Sequence, residues 1–269
     1  MPNADPRSAA NSQQPTANKM KEQLYQYILQ LGDNSMILGQ RLAEWCGHGP
    51  ALEVDMALTN ISLDLFGQTR SYFQYAAEVE GKGRSEDDIA FLRDTKDFKN
   101  ALLVEQPNGD FAQTIARQFF FDVYHKLFLE ALTASKDAQL AAIAQKSLKE
   151  VTYHVRFSNQ WLLRLGDGTS ISHDKMQSAI DDLWMYSGEL FEMTAIDNAM
   201  LAKGIGVDLN ALRPIYDKKI RKALTEATLK IPEGTWMQSG GKTGRHSEHL
   251  GYILSEMQWL QRAYPNASW

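Results

Sequence analysis

Helical periodicity dominates this chain and points to one fold class. From about residue 19 onward, apolar residues recur every three or four positions, and few segments show the apolar–polar alternation of a strand. This pattern predicts helices at about 19–46, 52–80, 86–104, 110–134, 137–165, 172–202, 208–229 and 246–263. The sequence therefore predicts an all-α protein in which the helices pack against one another.

Helix caps and one unusual helix refine this prediction. Ser85 and Asp88 have the spacing of a capping box at the start of the third helix. The segment 110–134 is apolar almost all the way round, although Asp122 and His125 lie in its middle. Such a helix is buried on several sides, so we expect it at the centre of a bundle or against another subunit.

The bulk composition is typical of one globular domain. The chain has 269 residues, of which 43% are apolar and 23% charged, enough to bury one substantial core. Residues 1–18 are polar and lack an apolar period, so we predict a disordered tail at 1–18 and a single helical domain at 19–269. The formal net charge is −5, and the absence of a basic stripe argues against nucleic acid as a partner.

Targeting signals and cysteine content favour a cytoplasmic protein. No segment is apolar enough for a membrane span or for a secretory signal, which argues against a membrane partner. Cys46 is the single cysteine and cannot form a disulfide within the chain. Next to Trp45, it is expected to be a small buried side chain.

Four predicted helices carry acidic residues and histidines in an arrangement close to that of a dinuclear metal site. A four-helix site of this kind takes a Glu from each of two helices and a Glu-x-x-His pair from each of the other two, because residues three apart share a helix face. The candidate ligands, named here the interior polar set, are Glu44, Asp64, Asp122, His125, Glu150 and His154. Asp33 is an alternative to Glu44 on the first helix.

Two positions of this pattern lack the histidine that a metal site needs. Gly67 lies three residues after Asp64. Tyr153 lies three residues after Glu150, and His154 follows one position later. A shift of one residue rotates a helical side chain by about 100°, so the nitrogen donors would be badly placed for two metals. We therefore predict that the interior polar set is the remnant of a metal site, hydrogen-bonded within itself and without a metal.

A rival hypothesis keeps the metal. In it, the chain is a stand-alone dinuclear-metal oxygenase or oxidase. Its ligands would be Asp64, Asp122, His125, Glu150 and His154.

Two short motifs are weaker candidates for ligand contacts. A third hypothesis, a stand-alone acyl-CoA-binding module, rests on a segment with an aromatic ring, a cation and an amide. The candidate contacts for acyl-CoA are Asp97, Phe98, Lys99 and Asn100. The glycine-rich run 240–244 lacks the spacing of a phosphate loop and predicts a flexible turn before the last helix.

A basic cluster lies on the seventh predicted helix. Its members are Lys218, Lys219, Arg221 and Lys222. Such a cluster predicts a solvated face or, alternatively, a docking patch for an acidic protein or for the phosphates of a ligand.

Longer strings of residues resemble a known family. They are LGDN at 31–34, RLAEWCGH at 41–48, NISLDL at 60–65, LVEQPNGDF at 103–111, and the run at 240–258 that begins with GGK and ends with EMQ. In this order they resemble the PaaC family, the C subunits of phenylacetyl-CoA epoxidases, from about residue 23 to residue 269. The resemblance is specific because the strings are long and their order is the same.

The resemblance implies a ferritin-like helical bundle with additional C-terminal helices. In that family such a chain pairs, as a non-catalytic structural subunit, with the related catalytic PaaA protein, which carries the di-iron centre. The complex converts phenylacetyl-CoA to its ring-1,2-epoxide in aerobic phenylacetate degradation, with electrons from a reductase that holds FAD and an iron–sulfur cluster. The resemblance thus implies that this chain has no catalytic residue and binds no cofactor. Its expected partners are the other epoxidase subunits and, at the complex, phenylacetyl-CoA.

Overall fold

Ten α-helices make up most of the described chain. The structure, a computed structural model, describes residues 6–265 and residue 267, with side chains from residue 18 onward. The helices are α1 (Pro6–Ala43), α2 (Leu52–Glu80), α3 (Glu86–Phe91), α4 (Leu102–Glu105), α5 (Phe111–Leu132), α6 (Ala138–Gly166), α7 (Ser170–Trp184), α8 (Ala195–Ala202), α9 (Leu209–Glu226) and α10 (Glu248–Ala263). Short 3-10 turns occupy Thr95–Asp97, Gly188–Phe191 and Gly241–Thr243, and no strand occurs among the described residues. The predicted all-α fold is confirmed.

The four longest helices, α1, α2, α5 and α6, form the bundle. Helix α1 packs along α2, α5 packs along α6, and α2 also contacts α6, which joins the two pairs. Each helix contributes fully buried apolar side chains to one continuous core, such as Ile37, Leu65, Phe120 and Val151. This arrangement agrees with the ferritin-like bundle that the resemblance implies.

Helix α5 lies at the centre of the molecule. In addition to α6, it contacts α7 and α9, so that it is covered on several sides. Asp122 and His125 are consequently buried together with the apolar residues around them. The expectation that this helix is buried on several sides is confirmed.

The remaining C-terminal helices surround the bundle. Helices α7 and α9 cover α5 and α6, whereas α8 and α10 pack against α1. Helix α10 also contacts α3 and α4, so the end of the chain holds the irregular segment between α2 and α5 in place.

The helix predicted at 86–104 is broken in the structure. It consists of α3, a 3-10 turn and α4, joined by irregular backbone. Two side chains of α1 supply the acceptors that a helix would have provided: Asp33 accepts from the Lys99 N–H at 2.8 Å, and Asn34 accepts from the Ala101 N–H at 2.8 Å. Tertiary hydrogen bonds therefore outweigh the local helical pattern here.

The helix predicted at 172–202 is broken as well. Helix α7 ends at Trp184, and α8 starts only after the 3-10 turn Gly188–Phe191. Thr194 caps α8 and forms a capping box with Asp197, so the sequence contains a second helix start inside the predicted helix.

The first helix also differs from its predicted range. Helix α1 begins at Pro6, before the predicted start near residue 19, and it ends at Ala43. Residues 1–5 and the side chains of residues 6–17 lie outside the described part of the chain, so the disordered tail at 1–18 stays a prediction.

Candidate functional site

Two hydrogen bonds join the interior polar set across α2 and α6. The carboxylate of Asp64 lies 3.0 Å from Nε2 of His154, and the Gln68 amide donates to Glu150 at 3.0 Å. From the first pair to the second, the residue number increases from 64 to 68 on α2 and decreases from 154 to 150 on α6, so the two helices are antiparallel. On both helices the interacting residues are four positions apart, which places them on one helix face.

A third carboxylate of the set lies deeper, on α5. Asp122 is almost completely buried and accepts hydrogen bonds from the Gln118 amide at 2.6 Å and from the Ser158 hydroxyl at 2.8 Å. Burial raises the pKa of the Asp122 carboxyl to about 7, and neighbouring His154 and the two hydrogen bonds only partly oppose this rise. Both carboxyl oxygens are thus occupied by neutral side chains of the chain itself.

His125 lies in apolar surroundings. Its ring centroid is 5.1 Å from that of Phe121, one turn earlier on α5. Burial, together with a smaller effect of the nearby His154, lowers the pKa of His125 to about 3, so the imidazole is neutral in the folded protein. Its Nδ1 has no hydrogen-bond partner among the described residues.

Glu44 lies apart from the other five members of the set. It is exposed near the end of α1, where it accepts from Arg41 at 3.0 Å and from Asn108 at 2.8 Å. The alternative, Asp33, is buried in an ion pair with Arg93. Neither candidate acid of the first helix therefore lies beside the α2–α6 hydrogen bonds, because Glu44 and Asp33 both pair with arginine elsewhere.

The positions of α2 and α6 that face inward differ from those that the three-residue spacing suggests. Gly67 and Tyr153 are exposed, and a Cβ atom added to Gly67 would meet nothing within 4 Å. The positions that face the neighbouring helix lie four residues after each acid and hold Gln68 and His154. A histidine at position 67 would have faced away from the bundle interior.

The donors do not fit a dinuclear metal centre. Within residues 18–265, no three His, Cys, Asp or Glu side chains converge where they could hold a metal ion. Asp122 has both oxygens engaged by neutral donors, and Glu44 is at the surface. A pair of oxygen-activating ions needs several carboxylates that bridge or face one another, and these helices do not supply them.

Three partners of this network were not predicted from the sequence. They are Gln68, Gln118 and Ser158. Each lies four residues from a member of the interior polar set on the same helix, so a search at the helical spacing of four would have found them. A pattern of metal ligands gives no weight to these neutral side chains.

The candidate acyl-CoA segment lies against the bundle. Phe98 is completely buried beneath the guanidinium of Arg93, which lies 4.1 Å from the ring centroid, and Asn100 is also buried and donates to Glu105 at 2.9 Å. Of the four candidates, Asp97 is exposed and Lys99 is half-buried. A contact with acyl-CoA stays a prediction. Of the four residues, only Asp97 and Lys99 could make this contact without a rearrangement of the segment.

The glycine-rich run 240–244 is an anchored turn rather than a flexible one. Lys242 is buried, pairs with Asp197 at 3.0 Å and donates to the Glu192 carbonyl at 2.6 Å. Glu189 accepts from the N–H groups of Gly240 at 2.7 Å and Lys242 at 3.3 Å. The prediction of a flexible turn was wrong, because acids far away in the sequence bind this segment to the bundle.

A second buried pair fixes the same region. His246 contacts the Glu105 carboxylate at 2.9 Å through Nδ1 and the Phe98 carbonyl at 2.9 Å through Nε2. Burial alone would lower the pKa of His246, but the bond to Glu105 and its charge raise it overall. The segments around α4 and before α10 are therefore held together by charge-assisted hydrogen bonds.

Two further predicted features lie at the surface. The four cations of the basic cluster are all exposed on α9, next to a groove of about 220 Å³ that includes Lys219 and Lys222 in its wall. Cys46 is exposed in the turn after α1, so the expectation of a buried cysteine was wrong. The helix ends at Ala43, before Cys46 could turn toward the core.

Comparison with known proteins places this all-helical bundle in a family. Over residues 7–269 the chain matches the family described as Phenylacetic acid catabolic protein, and it belongs to that family. It is 52% identical, over 247 residues, to the C subunit of the 1,2-phenylacetyl-CoA epoxidase of Escherichia coli (strain K12). The match covers 92% of this chain and 99% of the relative, so the resemblance seen in the sequence is confirmed.

None of the described helices combines the length and the apolar character needed to cross a bilayer.

Proposed function

We propose that this chain is a non-catalytic structural subunit of a phenylacetyl-CoA epoxidase, where it pairs with a catalytic subunit that holds the di-iron centre. The relative is named as the C subunit of a 1,2-phenylacetyl-CoA epoxidase, a name that implies other subunits, and the identity to it extends over nearly its whole length. In the proposed complex, phenylacetyl-CoA is epoxidised at the catalytic subunit, and a reductase with FAD and an iron–sulfur cluster supplies the electrons.

One observation carries the non-catalytic role. Two carboxylates of the interior polar set are engaged by neutral side chains of the same chain: Asp122 by Gln118 and Ser158, and Glu150 by Gln68. Such a network contributes to a unique packing of α2, α5 and α6, and it leaves no open set of donors for metal ions.

The same rigidity provides a physical role in catalysis. A partner helix that holds iron ligands must keep them within tight geometric limits, and a well-packed neighbouring bundle restricts its movement. Helix α5 adds to this, because it is covered on several sides and shifts little without repacking α6, α7 and α9. The chain then contributes binding energy and order while the partner performs the chemistry.

The test is reconstitution with and without this chain. The catalytic partner and the other components from the same organism are assayed for epoxide formation from phenylacetyl-CoA, alone and after addition of this chain. We expect this chain to co-purify with the catalytic partner and to increase turnover strongly when it is added. A His125→Ala variant should still assemble and support turnover. Loss of epoxidation by this variant, with assembly and iron content unchanged, would contradict the proposal.

A further inference from the structure

One face of the bundle is unusually apolar for an exposed surface. On α2, Leu52, Met56 and Leu63 are 72%, 57% and 61% exposed, and on α6 Tyr153 is 41% exposed. The α2 residues are four and seven positions apart, so they form one stripe along the helix, with the polar Thr59 and Asn60 in the turn between Met56 and Leu63. Further along the same side, Arg70 and the residues after it are polar, so the apolar stripe is limited to the first half of α2.

This surface, named here the α2–α6 face, contains two carboxylates at the seam between the helices. Asp64 is next to Leu63, and its side chain is 36% exposed; Glu150 is half-buried, one turn before Tyr153. Each carboxylate has one neutral or imidazole partner, Gln68 for Glu150 and His154 for Asp64. In the described part of the chain, neither acid pairs with a lysine or an arginine.

Covering the face would change the energetics of these carboxylates. An apolar partner surface would remove water from Asp64 and Glu150 without replacing its hydrogen bonds, and an incompletely paired buried charge is strongly unfavourable. A partner that covers the apolar stripe must therefore bring a cation to this point. Arginine suits it well, since the planar guanidinium presents paired N–H donors that match the two oxygens of a carboxylate.

The shape of the face fits a helix. The stripe runs from Leu52 to Gly67, which is about 22 Å at 1.5 Å per residue, or about four turns of a partner helix. Gly67 has no side chain and open space above it, so a second helix can approach closely at this end.

We propose that the α2–α6 face docks one helix of the catalytic subunit, apolar along the contacting side and with an arginine or lysine that pairs with Asp64 and Glu150. This inference rests on the proposed function and names the surface and the chemistry of the contact. The apolar stripe supplies the area for stable pairing, and the two carboxylates set the register of the partner helix.

The experiment measures binding of the purified catalytic subunit to this chain and its variants. Leu63→Glu should weaken binding at least tenfold, because it places a charge in the apolar stripe. The double variant Asp64→Asn, Glu150→Gln should also weaken binding at least tenfold and reduce its dependence on salt. Matched controls on α7 are Ile171→Glu, at a side chain that is 70% exposed, and Asp182→Asn, at an exposed acid. Both controls should bind as the wild type does.

The outcomes separate this inference from the proposed function. If the wild-type chain binds the catalytic subunit but all variants bind equally well, the docking surface is wrong and the proposed function stands. If the wild-type chain does not bind, both fail. If the chain forms a dimer with itself that Leu63→Glu dissociates, the occupant is a second copy and the assignment to the catalytic subunit is overturned. Unfolding curves of each isolated variant establish that it is folded.

Discussion

Asp122 and His125 lie one turn apart on α5, and their pKa values are shifted in opposite directions. Burial raises the pKa of Asp122 to about 7 and lowers that of His125 to about 3. Both shifts favour the neutral form, which costs less in a buried site. As the pH rises, the contribution of Asp122 to the free energy of unfolding falls and that of His125 increases. The two pH ranges overlap, so within the overlap the wild-type protein should show little net pH dependence from this pair.

Replacing Asp122 by asparagine should expose one of these slopes. Between about pH 4 and pH 7 the unfolded chain releases the Asp122 proton while the folded chain keeps it, so the contribution of Asp122 to the stability of the wild-type protein falls as the pH rises. Asparagine does not titrate. We therefore compare the unfolding free energy of Asp122→Asn with that of the wild type at pH 4 and at pH 8. The difference should shift in favour of the variant by up to about 4 kcal/mol between the two pH values, at about 1.4 kcal/mol per pKa unit. Urea unfolding at both pH values measures it; a constant difference would contradict the buried, protonated carboxyl.

Replacing His125 by phenylalanine should expose the other slope. As the pH falls from about 6.5 to about 3, the unfolded chain takes up a proton that the folded chain does not bind at His125, so the contribution of His125 to stability is lost. His125→Phe removes this loss and keeps a ring beside Phe121. Its unfolding free energy relative to the wild type should rise by up to about 5 kcal/mol toward low pH. An equal acid response of the two proteins would show that His125 is charged when folded.

At the residue scale, sequence reasoning found the chemistry of the site better than its geometry. It identified Asp122 and His154 as interior groups, which follows from acids and imidazoles in otherwise apolar helices, whereas Asp64 is partly exposed beside His154. It misplaced Glu44, because a residue just after the end of a helix can turn to a neighbouring arginine at the surface edge as easily as to the core. Which of two adjacent positions faces inward depends on helix rotation, which one sequence does not fix.

At the scale of elements, the turn at 240–244 depends on a close backbone contact. A Cβ atom added to Gly241 would lie 2.3 Å from the carbonyl oxygen of Asn100. Gly241→Ala should therefore destabilise the protein by about 1–3 kcal/mol, as overpacking of a buried site does. The matched control is Gly251→Ala on α10, where a Cβ would meet nothing within 4 Å and the helix should gain up to about 1 kcal/mol. Thermal unfolding compares the two, and equal melting temperatures would contradict the close contact.

The buried ion pair in this turn should be far more sensitive than an exposed one. Lys242→Met leaves Asp197 buried without its cation, and breaking a buried pair costs about 3–5 kcal/mol. The control is Lys175→Met, which removes an exposed pair with Asp110 and should cost less than about 1 kcal/mol. Chemical denaturation measures both variants. Similar losses for the two would mean that Lys242 does not hold the turn.

Sequence periodicity located the long helices and failed where tertiary contacts decide the structure. The segment 86–104 has a helical pattern but is irregular near Lys99, because Asp33 and Asn34 of α1 supply its hydrogen bonds. The 240–244 turn looked flexible because its glycines carry no sign of the distant acids that bind it. Contacts between segments far apart in sequence cannot be read from local patterns.

At the scale of the whole molecule, the all-helical bundle followed from periodicity, whereas the docking face did not. Leu52 and Leu63 of α2 are exposed because the other side of α2 packs on α1 and α6, and periodicity alone does not tell which apolar residues stay uncovered. An apolar side of a helix that remains uncovered after folding indicates an interface with another chain. The fold and the proposed role as a subunit are therefore consistent with each other.

On this view the bundle orders a catalytic partner and does not itself hold the metal. Metal analysis of the chain purified alone decides the point, after anaerobic incubation with ferrous iron and removal of the excess. We predict well below one iron per chain, with the Asp122→Asn variant indistinguishable from the wild type. Two irons per chain, lost in that variant, would show that the bundle holds a metal centre of its own.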